Sequence, residues 1–195
     1  MSEQTRLSIL ARVQETSSGD SWVEFSEIYE DLIYHWLDRQ GVRRQDADDI
    51  RQEVMTIVLR KIGGFEHNGR TGAFRSWMRA ITANCMREFW RGIKRHHEGG
   101  PNLEDIASQL EDESSRQSII WNTQHDRHVI NHLLDQISQR LTEQSVTIFR
   151  RVAIGQEDAQ DVADDLGMTL GAVRVAQHRV LKAIKEVATG LVDQY

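Results

Sequence analysis

"FRSWMRAITANCMREFWRGIKR", residues 74–95, carries six cationic side chains and one anionic side chain, although the whole chain has a net charge of −6. It also holds two of the five tryptophans. At about 100° per residue, an α-helix sorts these side chains into two arcs. The apolar arc contains Phe74, Met78, Ile81, Cys85 and Phe89, with Trp77 at its border. The segment is therefore predicted to be an amphipathic helix with one basic face.

The basic face also presents a tryptophan and an asparagine. In angular order its residues are Arg79, Trp90, Ala83, Lys94, Arg87, Ala80, Arg91 and Asn84. Cations neutralise phosphates, while aromatic or amide side chains stack on or hydrogen-bond to unpaired bases. The face is predicted to hold single-stranded nucleic acid. Trp90 keeps two interpretations: it contacts a base, or it packs on a neighbouring helix beneath extended arginines.

Around this segment the pattern predicts an all-α chain of two small helical domains joined by an acidic linker. The chain has 195 residues and one proline, and apolar residues recur at helical spacing in residues 5–16, 21–40 and 45–62. The first domain is predicted to span residues 1–97. Carboxylates dominate the next segment, residues 98–125, which is predicted to be the linker, with room for a short helix around Ile106 and Leu110. The second domain is predicted to span residues 126–195.

Composition excludes several classes of protein. The single cysteine, Cys85, excludes an internal disulfide and fits a reducing compartment. No apolar run approaches the roughly 18 residues of a membrane helix, and the first twenty residues are too polar for a signal peptide. A cytoplasmic protein without a membrane segment is predicted. With no glycine-rich phosphate loop and no catalytic set, the sequence predicts no enzyme and no cofactor.

The segment "AQDVADDLGMTLGAVRVAQHRVLKAIKE", residues 159–186, has the form of a helix-turn-helix. Gly167 ends the first helix where a positive φ is needed, and Thr169 is predicted to cap the second. The outward residues of that helix are Arg174, Gln177, His178, Lys182 and Lys185. Basic and amide side chains on such a helix suit the reading of the major groove. The alternative is a helical hairpin whose cations face water.

Two further clusters invite a metal hypothesis and do not sustain it. The acidic run "DADDIRQE" lacks the glycine turn and the spacing of a Ca²⁺ loop, so a basic partner protein is favoured. His125, His128 and His132 share one helical face, but no cysteine or carboxylate completes a ligand set. Cys85 is predicted to be a core thiol, because no histidine is placed to activate it. No metal site is predicted.

Four segments, in this order, resemble a bacterial RNA polymerase sigma factor of the extracytoplasmic-function (ECF) group. They are "FSEIYEDLIYHWLDRQG", "DADDIRQEV", "FRSWMRAITANCMREFWR" and "VADDLGMTLGAVRVAQHRVLKAI". The resemblance covers about residues 5–95 and 130–190. It implies a sigma region 2 bundle, a sigma region 4 helix-turn-helix domain and a non-catalytic factor that directs promoter-specific initiation. Met55 departs from the family, which usually has an aromatic residue there.

The resemblance also implies three sets of site residues. The set that binds core polymerase, at the β′ clamp helices, is Asp48, Asp49, Gln52, Glu53 and Val54. The set for the minus-ten element is Arg79, Asn84, Arg87, Trp90, Arg91, Lys94 and Arg95. The set for the minus-thirty-five element is Thr169, Gly171, Arg174, Gln177, His178, Arg179 and Lys182.

The partners implied by the resemblance are core RNA polymerase, through its β′ clamp helices and β flap, promoter DNA, and a separate anti-sigma factor or other regulator. One alternative is a helix-turn-helix regulator that acts without core polymerase, although such a protein does not need the pair of motifs "DADDIRQEV" and "FRSWMRAITAN". The linker is expected to thread toward the active-site and RNA-exit channel of polymerase. A further hypothesis is that it folds back in the free chain and masks the basic helix.

Overall fold

The computed structural model describes residues 9–15, 19–68, 70, 72–93 and 102–188. Within these ranges the chain contains nine α-helices and no β-strand, which confirms the all-α prediction. The helices are α1 (Ile9–Glu15), α2 (Asp20–Arg39), α3 (Arg44–Lys61), α4 (Ala73–Ile93), α5 (Leu103–Glu111), α6 (Arg116–Ile137), α7 (Glu143–Phe149), α8 (Ala159–Asp165) and α9 (Leu170–Ala188).

Helices α1 to α4 form the first helical module around an aromatic core. The rings of Phe25 and Tyr29 on α2 stack with centroids 4.5 Å apart, and Phe74 of α4 meets Tyr29 edge-on at 5.7 Å. Helix α3 closes the core with Val54 and Val58, both fully buried. Aromatic pairs in these arrangements add to the gain from burying their area. They fix α4 against α2 and so set the direction in which its basic face points.

Helices α7 to α9 form the helix-turn-helix module on a smaller core of its own, built from Ile148, Val162, Ala163, Val173 and Ala176. The turn between α8 and α9 depends on Gly167, which has a φ of 62°. An L side chain rarely adopts this conformation, whereas glycine does so freely. The amide of Met168 then donates to the carbonyl of Ala163 at 2.8 Å and closes the end of α8.

The segment predicted as a linker is largely helical where the structure describes it. It forms α5 and the first half of α6, so the domain boundary suggested at residue 125 lies inside a helix. Asn102 caps α5 by accepting from the amide of Asp105 at 3.3 Å, and Ser115 caps α6 by accepting from Ser118. The buried stripe of α6 includes polar residues such as Ser118, which interrupts the apolar periodicity that would reveal the helix.

Helix α6 packs against α2, α4 and α9, and one hydrophobic cluster runs from α1 to α9. Trp121 of α6 is 1% exposed and meets Trp36 of α2 edge-on, with ring centroids 5.0 Å apart. Val180 and Ile184 of α9 belong to the same cluster. The two modules are therefore packed together in this structure, and α6 is the element that joins them.

Beside the tryptophans, the same interface contains a buried polar network. Tyr29 Oη lies 3.3 Å from His125 Nε2, and His125 Nδ1 lies 2.9 Å from Asp126 Oδ1. Arg75 of α4 donates through Nη1 to Asp126 Oδ2 at 2.5 Å. Burial, and then the charge of Asp126, raise the pKa of Tyr29 well above its ordinary value. The network ties α6 to α2 and α4 through groups that water can also satisfy.

Candidate nucleic-acid interface

Helix α9 presents its predicted reading residues to solvent. The exposed members of the set are Thr169, Gly171, Arg174, His178, Arg179 and Lys182, while Gln177 is half-buried. The Oγ1 atom of Thr169 accepts from the amide of Ala172 at 3.2 Å, as expected of a helix cap. The inward stripe of the helix lies in the two cores. The helix therefore offers one open face that is basic near its N-terminal half.

Ion pairs hold α8, the helix that precedes the turn at Gly167. A short π-helical segment, Arg150–Ile154, follows α7. Within it, Arg151 donates to Glu157 at 2.9 Å and to Asp165 of α8 at 2.5 Å. These two carboxylates raise the pKa of Arg151, so the guanidinium stays charged. These contacts hold α8 against the π-helical segment. They therefore help set the angle between α8 and α9.

Helix α4 has three faces rather than the two that its sequence predicts. The first is the apolar arc, which packs in the core of the first module. The second holds Arg79, Ala83 and Met86, which are all buried, with Arg79 only 3% exposed. The third is open: Ala80, Asn84 and Arg91 are exposed, and Arg87 lies at its edge. The covered second face belongs to the arc that the sequence assigns to solvent and nucleic acid.

Residues from the α5–α6 segment cover the second face. Arg79 donates through Nη1 to Asn122 Oδ1 at 2.9 Å and through Nη2 to Glu113 Oε1 at 3.4 Å. Burial lowers the pKa of Arg79, while Glu113 opposes that shift. Arg87 pairs through Nη2 with Glu111 Oε2 at 2.7 Å and donates through Nη1 to Asn84 Oδ1 at 3.1 Å. Both arginines are therefore already paired with groups of the chain itself.

The remaining members of the minus-ten set are distributed unevenly. Trp90 is half-buried and packs against the main hydrophobic cluster, which matches the packing interpretation of its ring and leaves part of it accessible. Arg91 is exposed on the open face. Lys94 and Arg95 lie outside the described residues.

The residues of α3 that are predicted to bind core polymerase lie partly on the surface of the helix and partly in the core. Asp49, Gln52 and Glu53 are exposed, whereas Val54 is fully buried and acts only through the core. Asp48 is half-buried and lies 3.4 Å from Arg51 Nη2. A partner that docks here would contact the exposed carboxylates of Asp49 and Glu53 and the exposed amide of Gln52, which lie on consecutive turns of the helix.

A groove of about 480 Å³ lies between α3 and α4 and was not foreseen from the sequence. Asp49, Glu53 and Glu88 give it an acidic rim over an apolar floor that includes Phe89. Cys85 also lines it, and burial, followed by the charges of Glu53 and Glu88, raises the pKa of this thiol to about 12. The sequence signal was Glu88, the one acid in a basic helix, which here stands beside the acids of α3.

The histidine face of α6 is a packing surface. His125 is fully buried and His128 is half-buried, with Nε2 donating to the carbonyl oxygen of Ile28 at 2.8 Å. Within the described ranges, no group of three or more histidine, cysteine, aspartate or glutamate side chains is placed to hold a metal ion. No helix in that part of the chain is long and apolar enough to span a membrane.

Comparison with known proteins adds a family and several relatives. The family model for Sigma-70 region 2 matches residues 25–96, which include α3, α4 and α2 from Phe25 onward. The chain is 29% identical over 148 residues to ECF RNA polymerase sigma factor ShbA of Streptomyces griseus, covering 76% of this chain and 74% of the relative. It is 21% identical over 183 residues to ECF RNA polymerase sigma factor BldN of Streptomyces coelicolor, covering 94% and 66%.

A third relative is ECF RNA polymerase sigma factor SigD of Mycobacterium tuberculosis. The chain is 26% identical to it over 156 residues, covering 79% of this chain and 68% of the relative. The chain thus spans between 66% and 74% of the lengths of these three relatives.

Proposed function

Because the chain belongs to the extracytoplasmic-function group of RNA polymerase sigma factors, we propose that it docks on core polymerase through α3 and reads two promoter elements through α4 and α9. In this proposal α4 handles the minus-ten element and α9 the minus-thirty-five element. The single observation that carries it is the separation of charge into one acidic helix surface and two basic ones within a chain of net charge −6.

The acidic surface supports the docking step. Asp49, Gln52 and Glu53 are exposed on α3, and the neighbouring groove adds Glu88 and the apolar side of Phe89. A basic helix with an apolar stripe is complementary to such a surface, because its cations meet the rim and its apolar residues meet the floor. We assign this surface to the β′ clamp helices, and the β flap to the module that carries α9.

The two basic surfaces support different modes of recognition. On α9, Arg174 and His178 stand out from a capped helix, which suits contact with base edges in the major groove of a duplex. On α4, Asn84 stands among Arg87 and Arg91, which suits an unpaired base held beside its own phosphates. The protein has no catalytic step in this scheme. It positions polymerase and stabilises the opened strand.

A helix-turn-helix regulator that works without polymerase is the second candidate. The exposure of α9 in the same structure that covers part of α4 favours it, since the chain could then bind duplex DNA alone. This second candidate function gives no role to the acidic surface of α3 or to the basic face of α4.

Reconstituted transcription separates the two candidates. Purified protein, core RNA polymerase and genomic DNA fragments should together give discrete start sites, and the protein should co-purify with core polymerase. The variant Asp49→Arg should weaken core association while leaving duplex binding by α9 intact. Specific duplex binding without co-purification and without any defined start would establish the regulator instead.

A further inference from the structure

A second groove, between α2 and α6, has no role in the proposed function. It encloses about 580 Å³, and none of its lining residues belongs to the three predicted sets of site residues. On α2, Leu32, His35 and Arg39 line it at helical spacing. On α6 the lining runs from Ile119 to Asn131. This cavity is named here the α2–α6 groove.

The two helices run in opposite directions along the α2–α6 groove. Trp36 of α2 meets Trp121 of α6 edge-on. Two turns earlier on α2, the carbonyl oxygen of Ile28 accepts from Nε2 of His128 at 2.8 Å. Each turn forward on α2 is therefore a turn back on α6, so the groove follows the length of both helices.

An arginine stands at each end of the groove. The antiparallel register puts Arg39 beside the start of α6, near Ile119, and Arg127 lies eight positions further along that helix, or about 12 Å. Both arginines are exposed, and neither forms an ion pair with another described residue. Among the described residues no carboxylate lines the groove, although the chain has a net charge of −6. The groove therefore offers two charged donors to a molecule from outside the chain.

The surface between the arginines is largely apolar. Leu32 is buried, Ile120 is half-buried, and Ile119 is 56% exposed, one of four exposed large hydrophobic side chains among the described residues. Thr123 and Gln124 add a hydroxyl and an amide. Cavities of roughly 300–1,000 Å³ with an apolar lining and a few polar groups are typical of small-molecule sites. The volume and the lining of the α2–α6 groove fit this class.

The arrangement of charge and apolar surface defines the class of ligand. A guanidinium binds a carboxylate or a phosphate through paired hydrogen bonds. Two guanidiniums at the ends of an apolar stretch match an elongated molecule with an acidic group at each end. A nucleic-acid strand matches poorly, because its phosphates would lie over Ile119 and Ile120. In addition, no phenylalanine, tyrosine or tryptophan of the described residues lines the groove for bases to stack on.

We propose that the α2–α6 groove binds a small, elongated organic dianion. Its apolar body lies against Leu32, Ile119 and Ile120, and its acidic groups pair with Arg39 and Arg127. The inference stands apart from the proposed function, since it uses none of the residues assigned to polymerase or to DNA. Because α2 and α6 both line the groove, the bound ligand stabilises the packing of these two helices.

Calorimetric titration of the full-length chain with dodecanedioate, a long-chain dicarboxylate, at low ionic strength tests the binding. One saturable site per chain is expected. Dodecanediamine has the same chain with cationic ends, and succinate has the same charges without the long chain, so neither should bind measurably. Equal binding by either control, or no saturation with dodecanedioate, would overturn the proposal.

Variants locate the bound dicarboxylate. Arg39→Gln and Arg127→Gln should each weaken its binding about three- to tenfold, because each removes one charged donor. The matched control Arg140→Gln removes an exposed arginine outside the groove and should change the affinity less than about twofold. Ile119→Glu, at an exposed position, should abolish binding by placing a carboxylate beside the apolar body. Unchanged affinity in the three groove variants would show that the anion binds elsewhere and would refute the assignment.

Nuclear magnetic resonance of the imidazole rings supplies a readout that does not depend on the variants. His35 and His128 line the groove, whereas His178 lies on α9. Dodecanedioate should shift the ring resonances of the first two histidines and leave that of His178 in place. A shift of His178 alone would place the anion on the basic face of α9 and contradict the proposal.

Discussion

Arg79 shows what can and cannot be read from a single residue. Helical spacing places it correctly on the arc of α4 opposite the core of the first module. Its partners, Glu113 and Asn122, lie 34 and 43 positions further along the chain. No local pattern announces a contact over that distance. The residue is 3% exposed because another part of the chain covers it.

His128 should make stability depend on pH. Burial lowers its pKa below the ordinary value of about 6.5, so the folded chain favours the neutral ring. As the pH falls below about 6.5, the unfolded chain takes up the proton first. The free energy of unfolding should be highest above that pH and fall towards the lowered pKa.

Urea unfolding followed by tryptophan fluorescence at about pH 7.5 and about pH 5.5 measures this change. The variant His128→Asn should lose less stability between the two conditions than the wild type, since the other histidines contribute to both proteins. The same loss in both would assign the effect to other groups.

Lys182 is expected to contact a phosphate rather than a base. The variant Lys182→Ala should reduce the slope of log affinity against log salt by about 0.9, with little change in sequence preference. Titrations of a promoter duplex with the holoenzyme at several salt concentrations give the slope. The control Arg127→Ala on α6 removes the same charge and should leave the slope unchanged. An equal change of slope in both variants would refute the assignment of Lys182 to a phosphate.

At the scale of elements, the spacing of apolar residues predicts those helices whose buried stripe consists of apolar residues only. It predicts α2, α3, α4 and α9 and the turn at Gly167. It misses the start of α6, where Ser118, His125 and Asp126 are buried with Trp121 and break the apolar pattern. The groove between α3 and α4 could not be predicted either, because it depends on how two helices pack.

The turn between α8 and α9 gives a prediction with a matched control. Gly167→Ala should destabilise the chain by about 1–2 kcal/mol, because the φ of 62° strains an L residue although a Cβ there meets nothing within 4 Å. Gly171→Ala, at a helical position where a Cβ meets Thr169 Oγ1 at 3.9 Å, should stabilise it by about 0.5–1 kcal/mol. Urea unfolding measures both, and effects of the same sign would contradict this account.

At the scale of the whole molecule, charge and apolar packing hold different parts of the interface between the two modules. In the ion pairs at Glu111 and Glu113 the carboxylates are exposed although the guanidiniums are largely covered, so salt reaches and weakens these pairs. The contact between Trp36 and Trp121 is buried, and salt does not weaken it. The hypothesis drawn from the sequence, in which the acidic linker folds back and masks the basic helix, concerns the charged rim of this interface and stays a prediction.

Small-angle scattering distinguishes these contributions. The radius of gyration of the free chain should stay near about 16 Å when salt is raised, because the buried contact keeps the modules together. Trp121→Glu places a charge against Trp36 and should expand the chain at either salt concentration. Circular dichroism checks that the helices persist. Expansion of the wild type with salt would show that charge dominates.

The helical state of α5 shortens the segment that connects α4 to α6. Its nine residues span about 13 Å as a helix and about 30 Å when extended. Residues 94–115, drawn out fully, would reach at most about 75 Å. Elements centred near positions −10 and −35 would lie about 85 Å apart along B-DNA at about 3.4 Å per step. By unwinding, α5 would supply roughly 17 Å of that reach. Shortening this segment should therefore narrow the range of promoter spacings that the protein accepts.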